Sequence, residues 1–251
     1  CSKQRLLFLL KYGFAYVRMD REIDGKIESL DQKHIMRYQQ FFATLAIIDK
    51  LNEGIKSGVI WHTQGSGKTA LSYHLTYALT DFYAKQNKVA KFYFIVDRLD
   101  LLEQAFSEFE ARGLEVKTAS TRKELMAQFR TNSGKTEITV VNIQRFAEDK
   151  EKVVINDYDT NLQRIFIIDE AHRGYNPKGC FLANLFDADQ DSIKIALTGT
   201  PLLKEERASW KVFGNYLHTY YYDKSIQDGY TLKIIREDIE TSYREKLSEI
   251  Y

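Results

Sequence analysis

The sequence predicts an α/β fold, a parallel sheet with helices on both faces. Three observations predict it. Short apolar runs alternate with stretches of helical length and helical spacing from residue 58 to residue 197. Two runs, Lys91–Val96 (KFYFIV) and Ile165–Ile168 (IFII), are apolar almost throughout, as strands buried on both faces are. The two sharpest motifs each follow an apolar run, and open α/β sheets bind their ligands at the carboxyl ends of their strands.

The elements follow in order. Residues 1–32 read as an appendage: Leu6, Leu7, Leu9 and Leu10 suggest a helix, and Phe14–Met19 and Lys26–Leu30 two strands turning at Asp24-Gly25. A helix is expected over 33–53, where Ile35, Phe42, Leu45, Ala46, Ile48 and Leu51 recur at three- and four-residue spacings. Strands are then expected at Gly58–Trp61, Lys91–Val96, Val116–Ala119, Ile138–Ile143, Ile165–Ile168 and Ser192–Leu197. Helices are expected at Lys68–Ala84, Asp100–Ala111 and Arg122–Arg130. After Pro201 the alternation stops. Tyr216–Tyr222 and Tyr230–Ile239 read as two further strands.

Composition narrows the class. The chain has 251 residues, 44% hydrophobic and 28% charged, with 16 tyrosines and 15 phenylalanines to build a core. That suits a soluble globular protein of one large domain, or one domain with appendages. Two prolines argue against long disordered linkers. A net charge of +1 means that a nucleic-acid partner would be gripped by a local basic face, not by bulk charge. Cys1 and Cys180 fit neither a metal spacing nor a disulfide framework, which points to a reducing compartment, the cytoplasm. The longest apolar run is too short to span a bilayer and no signal peptide is visible, so no membrane partner is expected. The chain begins with Cys, not Met, and is expected to be a piece of a longer one.

The strongest motif is His62-Thr63-Gln64-Gly65-Ser66-Gly67-Lys68-Thr69, set between an expected strand and an expected helix. It fits the phosphate-loop pattern G-x-x-x-x-G-K-[ST], except that His62 replaces the first glycine. Gly65 and Gly67 let the backbone turn tightly and point N–H groups inward, where they and the helix N-terminus can cradle phosphate oxygens. Lys68 then reaches the β- and γ-phosphates of ATP, and the Thr69 hydroxyl ligates Mg2+. A bare glycine-rich helix cap is the bland alternative.

Downstream lies Ile167-Ile168-Asp169-Glu170-Ala171-His172, two acids at the end of an apolar strand. Asp169 is positioned to hold Mg2+, and Glu170 to orient and deprotonate an attacking water. Leu197-Thr198-Gly199-Thr200-Pro201 sits at another strand end, where threonine hydroxyls can bond the carboxylates or His172. Alone it is only a turn, but third in this series it carries meaning.

In this order, the segments 65–69, 169–172 and 198–201 resemble the first RecA-like domain of superfamily 2 helicases and translocases. The wider wording is narrower in scope. WHTQGSGKT at 61–69, Val96-Asp97-Arg98-Leu99-Asp100-Leu101 with Gln104, Asn142-Ile143-Gln144-Arg145-Phe146, and DEAHR at 169–173 are similar to the motor subunit (HsdR) of type I restriction enzymes. So are Phe213-Gly214 with Tyr216, and Ile226-Gln227-Asp228-Gly229. The resemblance covers roughly 33–240, and His62 is typical of that family.

The resemblance implies an ATP-dependent DNA translocase with ATP and Mg2+ as cofactors. Its partners would be duplex DNA and the methyltransferase and specificity subunits of a restriction-modification complex. Residues 33–222 would be the first RecA-like motor domain, and 223–251 a linker and the start of a second. Residues 1–32 would lead from an upstream nuclease domain. Arg37 and Gln40, with Ala43, fit the motif that reads the adenine edge. Arg98, Gln104, Gln144 and Arg145 match DNA-contacting segments, and His172 with Thr198, Gly199 and Thr200 the elements that couple ATP state to DNA grip. No nuclease signature stands before residue 33, and no second RecA-like domain with its arginine finger is found, so this piece alone is expected to hydrolyse ATP poorly. The rivals are another superfamily 2 helicase or repair translocase, a P-loop small-molecule kinase, and a non-catalytic module with a vestigial loop.

Overall fold

The computed structural model describes residues 2–23, 25–129, 136–146, 161–171, 181–200 and 213–233. The chain opens with α1 (Lys3–Tyr12) and an antiparallel hairpin of β1 (Phe14–Ile23) and β2 (Lys26–Ile35), followed by α2 (Tyr38–Asn52). The alternating part comprises β3 (Ser57–His62), α3 (Lys68–Ala84), β4 (Val89–Val96), α4 (Leu99–Ala111), β5 (Glu115–Ala119), α5 (Arg122–Gln128), β6 (Glu137–Asn142), β7 (Leu162–Ile168), α6 (Phe181–Ala188) and β8 (Ile193–Thr198). Then come β9 (Tyr216–Tyr220) and α7 (Tyr222–Gln227).

Seven strands form one sheet in the order β5-β6-β4-β7-β8-β3-β9, and every pairing in it is parallel. Side-chain alternation gives the sheet two apolar faces. Phe92, Phe94 and Val96 of β4 lie with Ile165 and Ile167 of β7 against Leu71, Leu75 and Leu79 of α3 and Phe109 of α4. Tyr93 and Ile95 lie with Phe166 and Ile168 against Leu125 of α5 and Leu185 and Phe186 of α6. Each such side chain, fully buried, contributes about 1.5–3 kcal/mol. This is why β4 and β7 read as near-continuous apolar runs.

Charge buried in this sheet sits at its amino end and is paired, because an isolated buried ion is costly. Lys91 binds Glu137 at 2.8 Å, and Lys117 reaches the other carboxylate oxygen at 2.5 Å. Arg164 binds Asp189 through both Nε and Nη2. The carboxyl edge is left for a site.

The segment read as an appendage is fastened to the sheet domain. Ala15 and Val17 of β1 belong to the main core. The Tyr12 carbonyl accepts a bond from His74 Nδ1 at 2.8 Å, and Asp81 receives Tyr12 Oη at 2.5 Å and Lys11 Nζ at 2.9 Å. The helix expected from residue 33 starts only at Tyr38. Residues 33–35 complete β2, Met36 N donates to Gly13 O at 2.7 Å, and Arg37 stays extended with ψ 154°.

Two other expectations are corrected. The strand expected through Tyr222 ends at Tyr220, because the chain turns into α7. No strand runs through 230–233, where Tyr230 N and Thr231 N both bond back to Ser225 O at 2.9 and 3.3 Å and wrap the chain onto α7. Residues 234–239 lie outside the described residues. Helix α6 was not expected from the sequence at all. Among the described residues no helix is long and apolar enough to cross a membrane.

Candidate active site

Strand β3 lies between β8 and β9, so the loop leaving it at His62 emerges at the carboxyl edge with neighbours on both sides. Thr63 N bonds Tyr220 O at 3.1 Å, and Ser66 N closes a turn on Thr63 O at 3.2 Å. Gly65 and Gly67 both have positive φ, 78° and 82°, a region that costs other residues about 1–2 kcal/mol. Helix α3 then starts at Lys68, and its first N–H groups have no partner within the helix. They face the same opening, which makes this end of α3 suited to an anion.

Helix α2 braces the loop from outside. Arg37 Nη1 donates to Gly65 O at 3.1 Å, and Gln40 Nε2 donates to Gly67 O at 2.9 Å. Gln40 Oε1 accepts from Arg37 N at 2.8 Å. The Gln40 amide therefore caps the start of α2 with its oxygen and holds the loop with its nitrogen. The buried Gln39, which the sequence did not single out, approaches Ser66 O at 3.5 Å.

His62 is buried beneath the loop, its Nε2 2.8 Å from His218 Nδ1 on β9. Burial, then the neighbouring His218 and Lys68, push it down to about 3, and burial lowers His218 as well. Both rings are neutral near pH 7, so one donates and the other accepts. No pattern in the sequence announced His218, which stands 156 residues from its partner.

The acids come from β7, between β4 and β8. Asp169 N bonds Ile95 O at 2.9 Å on one side, and Ala171 N bonds Leu197 O at 3.0 Å on the other. Glu170, caught between these opposed bonds, takes φ 49°, a strained conformation of the kind held at functional sites. Burial raises Asp169 to about 6; the Lys68 ammonium opposes the rise, and Glu170 and Asp97 add to it. Lys68 and Asp169 are thus close enough to feel one another. A Cβ placed on Gly199 would stand 3.5 Å from Lys68 Nζ and 3.4 Å from Gln64 N, so the end of β8 touches the loop. Beside it Thr198 Oγ1 accepts from Thr200 N at 3.1 Å and donates to Thr200 O at 2.9 Å.

A cleft of about 670 Å3 collects Arg37, Gln40, Gln64, Gly65, Gly67, Lys68, Thr69, Asp169 and Glu170, together with Gln104 of α4. His62, Thr63 and Ser66 are buried behind it. Arg98 lies exposed at the start of α4, held in a fork by Asp100 at 2.8 and 3.1 Å. Gln144 is exposed in the short turn Ile143–Phe146 after β6. The Arg145 side chain and His172 lie outside the described residues. Among the described residues no three His, Cys, Asp or Glu side chains gather around a metal position. The hydroxyl of Thr69 and carboxylate of Asp169 nonetheless suit Mg2+, a hard ion that takes one or two protein oxygens and completes its shell with water and phosphate.

The chain is 32% identical over 214 residues to the type I restriction enzyme SauCOLORF180P endonuclease subunit of Staphylococcus aureus, covering 82% of this chain and 22% of that one. It is 30% identical over 249 residues to the HindI endonuclease subunit of Haemophilus influenzae, covering 92% and 23%. The chain thus spans about a fifth of the length of these relatives, with which it is homologous. In fold it is similar to the Type ISP restriction-modification enzyme LlaGI, a nuclease-deletion mutant solved with a DNA substrate mimic. There the TM-score is 0.54 at 14% identity, over 86% of this chain and 22% of that one. It is similar also to the ATP-dependent Type ISP enzyme LlaBIII bound to DNA, with TM-score 0.55 at 15% identity over 83% and 17%. The family model of the SWI2/SNF2 ATPase matches residues 39–249, and the chain belongs to that family.

Proposed function

We propose that this chain is the first RecA-like motor domain of a type I restriction endonuclease subunit, and that it binds ATP with Mg2+ to drive movement along duplex DNA. The observation that carries the reading is the convergence of Lys68, Thr69, Asp169 and Glu170 on one cleft.

The loop N–H groups and the start of α3 receive the phosphates, and the Lys68 ammonium offsets their charge. Thr69 and Asp169 would hold Mg2+, which would neutralise charge developing on the phosphate oxygens. Glu170 sets the attacking water in line and takes its proton. Thr198, Gly199 and Thr200, with His172, pass the state of the nucleotide to the DNA-binding surface. Arg98, Gln144 and Arg145 meet the DNA backbone there, giving sequence-independent, salt-sensitive contacts. The cleft position of Gln104 favours a role beside the nucleotide for that residue over a contact with DNA.

In this reading residues 33–222 are the motor domain, and residues 1–32 lead from a nuclease domain. The chain beyond 222 leads to a second RecA-like domain, whose arginine would complete the ATPase site. Methyltransferase and specificity subunits would supply target recognition.

Titration of the chain with MgATP tests the reading. Binding is expected, and Lys68→Ala should weaken it at least tenfold, since a charge-assisted phosphate contact is worth about 1.5–3 kcal/mol. Glu170→Gln should keep binding and, in the intact subunit, remove hydrolysis. Ordinary turnover by that variant would overturn the assignment of the base.

A further inference from the structure

Residues 225–231 take no part in the chemistry above, yet they are bonded to two elements that brace the phosphate loop, β9 and α2. Asp228 is the centre of these bonds. Its Oδ2 accepts from Tyr38 Oη and from Tyr220 Oη, the latter at 2.7 Å. The two rings meet edge to face, with centroids 5.9 Å apart. Lys224 Nζ stands 3.7 Å from the other carboxylate oxygen. The chain then folds back on α7. Gly229 has φ 76°, Tyr230 N and Thr231 N donate to Ser225 O at 2.9 and 3.3 Å, and Ser225 Oγ meets Thr231 Oγ1 at 2.6 Å.

Each tyrosine leads to the loop. Tyr220 ends β9, and its carbonyl accepts from Thr63 N at 3.1 Å. Tyr38 opens α2; beside it Arg37 Nη1 donates to Gly65 O at 3.1 Å, and Gln40 Nε2 donates to Gly67 O at 2.9 Å. The Tyr230 ring adds a third link, its centroid 4.3 Å from the Arg37 guanidinium. One carboxylate thus joins a strand end that holds residue 63 to a helix start that holds residues 65 and 67. Hydroxyls donated to a charged oxygen make strong bonds, and both are lost together if the Asp228 carboxylate is removed.

We propose that Asp228 is a positioning residue for the phosphate loop. Its two tyrosine bonds clamp β9 to α2, and the clamp links filling of the loop to the packing of residues 229–231 on α7. This rests on the ATP reading above and adds to it a residue far along the chain. A loop that its ligand must put in order binds at the expense of affinity, and the clamp supplies that order beforehand. Coupling between two sites is reciprocal. A clamp that favours the filled loop is itself favoured, by the same factor, when the loop is filled. The loop holds phosphates, so the effect extends to any ligand that carries the triphosphate.

The test titrates MgATP and magnesium tripolyphosphate into the chain by calorimetry and follows hydrogen exchange at the Tyr230 and Thr231 amides by NMR. Either probe should slow exchange at these amides about tenfold, the scale of a coupling of this kind. Asp228→Ala, which removes both bonds, should weaken both probes about tenfold and abolish the slowing. Tyr38→Phe, which keeps the ring and removes one bond, should lose less. Asp228→Asn keeps an oxygen that accepts both hydroxyls and should recover part of the loss. A residue that only stabilises the fold would lower the melting temperature and leave probe affinity and the slowing intact, and that result overturns the proposal. So does a loss confined to MgATP, which would place the effect at the base. A wild-type chain that binds neither probe removes the ATP reading and the clamp with it. Wild-type binding of both, with exchange at 230 and 231 unaltered, removes the clamp alone.

Discussion

At the scale of single residues, the site depends on backbone conformations that few side chains tolerate. Gly67 combines φ 82° with a neighbour where its Cβ would be: a methyl there would stand 2.5 Å from Gln40 Nε2. Gly67→Ala therefore carries two penalties. The left-handed backbone costs about 1–2 kcal/mol, and the Gln40–Gly67 O bond must break or shift. We expect a lowered melting temperature and a loss of MgATP affinity well beyond that of Gly65→Ala, whose Cβ meets nothing within 4 Å. Calorimetric titration and thermal melts of the two variants measure this, and equal behaviour would mean that Gln40 does not govern the loop. Glu170 shows the same economy of position. Its φ of 49° follows from the bonds on either side of it, which tie Asp169 to β4 and Ala171 to β8. Strain at this residue is the local consequence of aiming two adjacent acids from one strand end.

At the scale of elements, the edge strand β9 is the least expected support of the loop. It pairs with β3 through a register shift between Val59 and Ile60, and its Leu217 lies over Gly58, where a Cβ would come within 2.2 Å of Leu217 Cγ. Gly58→Ala should push β9 outward and draw His218 away from His62. The expected cost is about 1–3 kcal/mol, as for other overpacked sites, with a matching fall in nucleotide affinity. The double variant Gly58→Ala/Leu217→Ala should regain much of the melting temperature; no recovery would show that the contact is not the cause. Contacts of this kind mark the limit of what the sequence discloses. The runs KFYFIV and IFII disclosed β4 and β7, because burial on both faces leaves a continuous apolar signature. Lys68–Ala84 matched α3 end to end, because a glycine precedes it and helical spacing fills it. The six-residue α7 and the eight-residue α6 were hidden, being too short to display a helical period, and the aromatic run at 216–222 reads as strand throughout. Of the site, the loop and the acid pair were legible as contiguous motifs. His218, Gln39 and Tyr230 were not, because only the fold brings them to residues far away in the chain.

At the scale of the whole molecule, two buried histidines, His62 and His74, and the half-buried His218 set how the protein responds to acid. Burial lowers His62 to about 3 and His74 to about 4, and it lowers His218 too. The unfolded chain binds protons at these positions near pH 6.5 and the folded chain does not, so stability falls as pH drops below that value. At pH 5 the penalty for His62 and His74 is on the order of 2 kcal/mol each. Asp169 works the other way. Its folded value of about 6 lies above that of a free carboxyl, so the native state holds a proton there between roughly pH 4 and 6, which recovers on the order of 1 kcal/mol at pH 5. Asp81, drawn down to about 2 chiefly by its bonds from Tyr12 and Lys11, loses its contribution only below pH 4, outside this window. The histidines prevail, and the melting temperature should drop by several degrees between pH 7 and pH 5. His74→Gln keeps an N–H donor for the Tyr12 carbonyl but takes up no proton, so its melting temperature should fall less over the same interval. Differential scanning calorimetry of the two proteins at both pH values decides the matter: parallel declines, or a wild type more stable at pH 5, would mean that the buried imidazoles are not what acid attacks first.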